Sequence, residues 1–146
     1  ERAARMLADI TGGELFVIQQ QIPYSDRYQT CIEEAKRDLQ NHARPTLIAL
    51  PEPGKAFTDV YLGYPNYWGT MPMAVYSFLE QMPLNGVTIH PFCTHEGSGL
   101  SNTEADIRAA VPGATVTAGL AIQGSRVDSA RPQLEKWVRE TGGGSQ

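Results

Sequence analysis

The chain has 146 residues, of which 41% are hydrophobic and 19% are charged, so it can form one globular domain that buries roughly 70% of its unfolded surface. Twelve basic and sixteen acidic residues give a net charge of −4, and no run of Lys and Arg alternates with aromatic residues as a nucleic-acid surface requires. We therefore expect no nucleic-acid partner. No apolar run reaches the roughly 18 residues of a membrane span. We expect a cytoplasmic protein, with a secretion leader removed ahead of Glu1 as the alternative.

Helix and strand patterns alternate along the first part of the chain. Ala3 to Ile10 has helical spacing and ends at a Gly-Gly pair, and Glu14 to Gln20 has the apolar residues of a strand. Tyr28 to Gln40 returns to helical spacing. Three prolines and a glycine between Asn41 and Thr58 then predict an irregular crossing.

The alternation continues to the end of the chain. The patterns predict strands at Asp59 to Tyr64, Gly86 to Thr94 and Ala114 to Ile122, and helices at Pro72 to Gln81, Thr103 to Ala110 and Ser129 to Thr141. Strands separated by helices of this length predict a parallel α/β sheet with helices on both faces. We place one domain at residues 1–141 and a flexible tail at residues 142–146.

Cysteine and histidine residues give little sign of a catalytic or metal site. Cys31 and Cys93 are far apart and form no CxxC pair, which favours two free structural thiols over a redox or disulfide role. His42, His90 and His95 complete neither a nucleophile triad nor a metal-ligand set. We therefore expect no metal ion.

Two loops at the carboxyl ends of predicted strands carry the functional signal, because ligands of parallel sheets bind there. In the first loop, Tyr67 or Trp68 would lie against a flat ring or else belong to the core. Three glycines permit close backbone approach to a ring edge or simply form turns: Gly69, Gly97 and Gly99. In the second loop, His95 and Glu96 would contact a ring, donate a proton or brace the loop.

These loops also carry a family resemblance. The chain has GYPNYWGTMP at residues 63–72, PFCTHEGSG at 91–99 and GLAIQG at 119–124, and in this order and spacing they resemble the bacterial flavodoxin-like family. The resemblance implies a three-layer α/β/α sandwich with a parallel sheet of order 2-1-3-4-5. It also implies that the ring of FMN is held by two segments, Pro65, Asn66, Tyr67, Trp68, Gly69 and Thr70, and Thr94, His95, Glu96, Gly97, Ser98 and Gly99.

The family also has a first strand and a phosphate-binding loop ahead of its first helix, and this sequence begins inside that helix. The first strand would therefore be absent from the sheet. A truncated start, a swapped assembly and the omission of natural N-terminal residues each account for this. A sheet without an inner strand would expose an edge, so we expect a homodimer as one outcome.

The resemblance implies an FMN-binding flavoprotein that transfers electrons to a redox partner protein or to a small-molecule acceptor. One alternative is an FMN-dependent oxidoreductase that reduces quinones or nitro groups. Another is a flavin-free structural or interaction domain, because FMN without phosphate contacts would keep only ring stacking and edge hydrogen bonds.

Overall fold

A computed structural model of the protein describes residues 2–13, 15–20, 26–49, 58–66, 71–82, 84–95, 97 and 99–141. The predicted tail at residues 142–146 lies outside this part of the chain, and so do residues 50–57 of the predicted irregular crossing. Among these residues, no helix has the length and apolar character needed to cross a membrane.

Helices and parallel strands alternate as the sequence predicts. The α-helices are α1 (Arg2–Thr11), α2 (Tyr28–Gln40), α3 (Met73–Gln81), α4 (Thr103–Ala110) and α5 (Arg131–Thr141). The strands are β1 (Asp59–Pro65), β2 (Thr88–His95), β3 (Thr115–Val116) and β4 (Leu120–Gln123), and a 3-10 helix spans Gly124–Ser129. The predicted bounds of α2 and α4 are confirmed, and the remaining predicted helices differ from the observed ones by one or two residues.

Strand β2 is the centre of the sheet. It pairs in parallel with β1, in a register that runs from Asp59 opposite Thr88 to Pro65 opposite Thr94. On its other side it pairs in parallel with β3 and then with β4, which lie end to end. The predicted parallel sheet is therefore confirmed, and the first strand along the chain to join it is β1.

Helices cover both faces of this sheet. On one face, Val75 and Phe78 of α3 and Ile107 of α4 pack in a buried apolar cluster. On the other face, Leu7 of α1 and Trp137 of α5 belong to a second buried cluster. Strands covered on both faces are typical of parallel sheets in three-layer α/β proteins.

Pro91 explains why the last predicted strand is split into β3 and β4. The N–H groups of Thr115 and Thr117 donate to the carbonyls of Val87 and Ile89. The backbone groups of odd-numbered residues in β2 are therefore directed towards β3 and β4. Pro91 has no N–H to offer here. The chain bulges at residues 117–119. There the Gly119 N–H donates to Glu104 Oε2 at 2.7 Å and not to a carbonyl of β2.

The predicted strand at Glu14 to Gln20 is wrong for the residues that the structure describes. Residues 15–19 belong to no strand, and Gln20 forms a single antiparallel bridge with Leu47. Leu15, Phe16 and Val17 are each about two-fifths exposed. An apolar segment becomes a strand only when a neighbouring strand satisfies its backbone groups, and the short Leu47 segment provides one bridge.

Candidate functional site

The carboxyl ends of β1 and β2 bring the two predicted loops side by side. Pro65, the last residue of β1, lies opposite Thr94. The ladder extends one residue further, because the Asn66 N–H donates to the Thr94 carbonyl at 2.9 Å. His95 ends β2 opposite Gln123 of β4. Both predicted loops therefore begin at one edge of the sheet, where parallel α/β proteins bind ligands.

The Asn66 side chain joins the first loop to the second. Its Nδ2 donates to the Gly99 carbonyl oxygen and to Ser101 Oγ, each at 2.9 Å. Since an amide nitrogen has two hydrogens, both of its donors are engaged. We call this set of contacts between Asn66, Gly99 and Ser101 the Asn66 clamp.

The second loop follows an unusual backbone path. Gly97, Gly99 and Ser101 have φ angles of 121°, 66° and 52°. Glycine adopts such angles without steric cost, whereas Ser101 adopts a conformation that is uncommon for a residue with a side chain. Within the described residues, a Cβ atom added at Gly97 or Gly99 would meet no atom within 4 Å. In this part of the chain the two glycines therefore border open space at the ligand edge.

His95 braces the start of the second loop. Its Nδ1 accepts a hydrogen bond from the Gly97 N–H at 2.9 Å. A nitrogen that accepts cannot carry a proton, so the ring has its hydrogen on Nε2 in this arrangement. Of the roles considered for His95, loop bracing is the one that this contact supports.

A buried hydrogen-bond chain supports the second loop from below. Tyr64 donates from its hydroxyl to Thr103 Oγ1 at 2.7 Å, and Thr103 donates to the Leu100 carbonyl at 2.6 Å. Burial raises the pKa of Tyr64 well above its ordinary value. The phenol therefore remains a neutral donor and holds the start of α4 beneath the loop.

Cys93 lies under the same loop as a protonated thiol. Burial raises the pKa of Cys93 to about 11, and the sulfur contacts the carbonyl oxygens of Thr94 and Gly99 at 3.4 and 3.8 Å. Thiolate chemistry requires the opposite shift. Cys93 and Cys31 are both free, so the expectation of two unpaired thiols is confirmed.

A comparison with known protein families settles the relationship that the loops suggest. The family model described as flavodoxin matches residues 1–141. The chain belongs to the flavodoxin family. The match covers every helix and strand of the structure, and the resemblance of the loops is thereby confirmed. No curated protein matches the sequence.

Solved structures agree with the flavodoxin fold. A protein of Bacteroides eggerthii with a provisional flavoprotein assignment is 23% identical, with a TM-score of 0.83 over 95% of this chain and 87% of its own. A similarly assigned protein of Bacteroides uniformis is 23% identical, with a TM-score of 0.82 over 94% of this chain and 88% of its own. A flavoprotein of Lactobacillus acidophilus, crystallised in complex with FMN, is 17% identical, with a TM-score of 0.68 over 88% of this chain and 87% of its own.

The structure describes half of the predicted site residues of this flavodoxin. It brings together Pro65, Asn66, Thr94, His95, Gly97 and Gly99 at the sheet edge. The other predicted site residues lie outside the described residues: Tyr67, Trp68, Gly69, Thr70, Glu96 and Ser98. The sequence predicts contacts with FMN for both groups, and these contacts stay predictions.

Three supporting residues are absent from the site that the sequence predicts: Ser101, Thr103 and Glu104. The structure shows Ser101 and Thr103 as partners of Asn66 and Tyr64. Nothing in the sequence signals these pairs, because 35 and 39 residues separate their members. The contact of Glu104 with the Gly119 N–H depends on the bulge opposite Pro91.

Proposed function

We propose that this flavodoxin binds FMN non-covalently at the carboxyl edge of its sheet and transfers electrons. The observation that carries the proposal is the pair of clamped loops with open space over Gly97 and Gly99. A flat ring edge can approach a backbone that carries no side chain. The bound flavin would supply the redox chemistry, and the protein would bind and orient it.

The residues that would hold the ring come from both loops. The first loop offers aromatic residues for stacking, which contributes about 0.5–1.5 kcal/mol beyond the burial of surface. The second offers backbone groups for hydrogen bonds to the ring edge. The proposed set comprises Pro65, Asn66, Tyr67, Trp68, Gly69, Thr70, Thr94, His95, Glu96, Gly97, Ser98 and Gly99. The Lactobacillus acidophilus flavoprotein, which has the same fold and was crystallised with FMN, supports this choice of ligand.

A second candidate, an FMN-dependent reductase of quinones or nitro groups, is favoured by the position of Leu100. The second loop has no Tyr or Trp, and Leu100 packs against the buried cluster of α3 and α4. Gly119 also lies against it, since a Cβ there would come within 3.1 Å of Leu100 Cδ2. A partly buried Leu100 that packs against the core would not cover a flavin face. An uncovered face would admit a small acceptor.

The test uses two left-handed glycines at opposite ends of the sheet. Gly99 and Gly86 have φ angles of 66° and 81°, and an added Cβ at either would meet no atom of the described residues within 4 Å. Gly99→Val and Gly86→Val therefore introduce comparable backbone strain, but only the first fills the proposed flavin space. We expect the wild type and Gly86→Val to quench the fluorescence of added FMN, and Gly99→Val to lose this quenching.

A wild type that ignores FMN would overturn the proposal and leave the flavin-free domain as the better interpretation. Titration with riboflavin, which lacks the phosphate, asks whether the phosphate contributes to affinity. For a protein that does bind FMN, single-electron transfer to a redox protein indicates a carrier. Steady reduction of a quinone by a nicotinamide donor indicates a reductase.

We further propose that the chain forms a homodimer in the cytoplasm. Thr58 and Asn66 bond towards β2, so by alternation the backbone groups of Tyr61 and Gly63 point to the other edge of β1. In the described part of the chain no strand pairs with that edge. Two free cysteines support a reducing compartment. Light scattering after size-exclusion chromatography gives the mass, and a monomer at micromolar concentration would argue against the dimer.

A further inference from the structure

Asn66 uses every hydrogen-bond donor that it has. Its backbone N–H donates to Thr94, and its two amide hydrogens are directed to Gly99 and Ser101. The two acceptors of the side chain are 33 and 35 residues away along the sequence. A half-buried side chain that spans two loops in this way acts on their relative position.

The second loop depends on such contacts for its shape. Three of its described residues, Gly97, Gly99 and Ser101, have positive φ angles, and Ser101 reaches φ 52° despite its side chain. A conformation of this kind persists when surrounding contacts hold it. The Asn66 clamp fixes the middle and the end of this stretch, while the His95 contact with Gly97 fixes its beginning.

We propose that Asn66 is a positioning residue that presets the gap between the end of β1 and the second loop before the flavin enters. The inference rests on the proposed FMN site and gives Asn66 a positioning role in addition to the ring contact proposed for it. Both amide hydrogens are already engaged, so the amide nitrogen has no donor left for a ring. A preformed gap removes the cost of ordering the second loop when the ligand binds.

The test compares Asn66→Leu with Asn85→Leu. Leucine has nearly the shape of asparagine, adds no charge and donates no hydrogen bond, and the Asn66 backbone contact with Thr94 is retained. Asn85 is an exposed residue between α3 and β2, just before the amino end of β2 and thus at the end of the strand opposite to the proposed site. Ser101→Ala removes one of the two acceptors and supplies an intermediate case.

The first readout is hydrogen–deuterium exchange of the flavin-free protein. We expect faster exchange in peptides that cover residues 97–102 of Asn66→Leu, with the remainder of the chain unchanged. The second readout is FMN affinity, which should weaken by about tenfold for Asn66→Leu and by less for Ser101→Ala, as expected for the loss of two hydrogen bonds and of one. The third is the visible circular dichroism of bound FMN, which reports the orientation of the ring and should change in Asn66→Leu alone.

Three results would overturn the inference. Unchanged exchange at residues 97–102 would show that the amide does not hold the loop. Faster exchange with unchanged affinity and an unchanged dichroism spectrum would show that the loop is held but that the flavin is indifferent to it. A wild type that binds no FMN would remove the proposed function, and the positioning role would fail with it. The wild-type titration thus separates failure of the function from failure of the inference.

Discussion

Two polar clusters lie at opposite ends of strand β2, and they differ in what surrounds them. Near its amino end, the His90 ring lies between Asp59 Oδ1, at 2.7 Å from Nε2, and Thr117 Oγ1, at 3.0 Å from Nδ1. We call these three residues the His90 cluster. Beyond the carboxyl end lies the Asn66 clamp. In the His90 cluster one ring uses both of its nitrogens, and in the Asn66 clamp one amide uses both of its hydrogens. Each of these side chains joins neighbouring segments of the chain.

The His90 cluster is closed. His90 has 0% of its side chain exposed, and its ring stacks on Tyr61 with 4.5 Å between the centroids. Both ring nitrogens have a hydrogen-bonding partner, so the polar groups of the ring are satisfied. The Asn66 clamp instead borders the open space over Gly97 and Gly99. A satisfied and enclosed histidine stabilises the fold, whereas a satisfied side chain beside open space can shape a site.

Removal of the His90 ring should have the largest effect on the fold. His90→Ala loses the stacking on Tyr61 and the edge contact with Trp137, and it leaves the Thr117 hydroxyl without its histidine partner. We expect a loss of about 3 kcal/mol in the free energy of unfolding, as for other large-to-small changes at buried sites. Urea unfolding measures it.

The matched control for this variant is His42→Asn. His42 is exposed with φ 50°, and asparagine tolerates that conformation. We expect a change within about 0.5 kcal/mol, as for surface substitutions in general. Equal losses in the two variants would contradict the distinction between an enclosed histidine and a surface one.

Gly63→Ala should have the next largest effect because it forces two groups into one space. A Cβ at Gly63 would lie 2.3 Å from the Phe92 ring, and overpacking of a core typically costs about 1–3 kcal/mol. The double variant Gly63→Ala with Phe92→Leu should lose less than the sum of the single losses in urea unfolding, because the smaller side chain removes the clash. Strict additivity would show that the alanine acts on something other than Phe92.

Removal of the Tyr64 hydroxyl should have a moderate effect. Tyr64→Phe breaks the hydrogen bond to Thr103, for which we expect a loss of about 1 kcal/mol. Tyr61→Phe is the matched control. The Tyr61 hydroxyl is buried, and within the described residues its contact with Thr141 lacks the geometry of a hydrogen bond. Thermal unfolding should therefore distinguish the variants, and a larger loss in Tyr61→Phe would reverse the assignment of the two hydroxyl groups.

The helices and the ligand edge are the parts of this fold that local sequence reveals. The sequence patterns of α2 and α4 predict both helices correctly. Strand ends are predictable too, because Pro65 and His95 stand where apolar runs give way to glycine-rich loops. Local sequence encodes the secondary structure that each segment prefers by itself.

Features that depend on a residue far away in the sequence cannot be predicted from local sequence patterns. The run at residues 15–20 has the composition of a strand, yet its pairing depends on whether another segment lies beside it. The split between β3 and β4 depends on Pro91, which is more than twenty residues earlier in the chain. The Asn66 clamp likewise depends on a backbone carbonyl, at Gly99, whose direction no residue type reveals.

The smallest effect on stability in this series should come from acid, which acts on the His90 cluster and not on the Asn66 clamp. The hydrogen bond from His90 is the main cause that lowers the pKa of Asp59 below its ordinary 3.8. Because the folded pKa lies below the unfolded one, ionised Asp59 stabilises the fold fully above about pH 4, and this contribution is lost as the pH falls through the folded pKa. Partial exposure of Asp59 keeps the effect modest.

Two variants isolate this contribution. Asp59→Asn should flatten the acid limb of stability against pH, measured by urea unfolding between neutral and acidic pH. Asp9→Asn, at a carboxylate with 78% of its side chain exposed, should leave that limb as in the wild type. An acid limb that is the same in all three proteins would show that the short contact between Asp59 and His90 contributes no pH-dependent stability. The Asn66 clamp has no titrating member, so exchange at residues 97–102 should not respond to the Asp59 substitution.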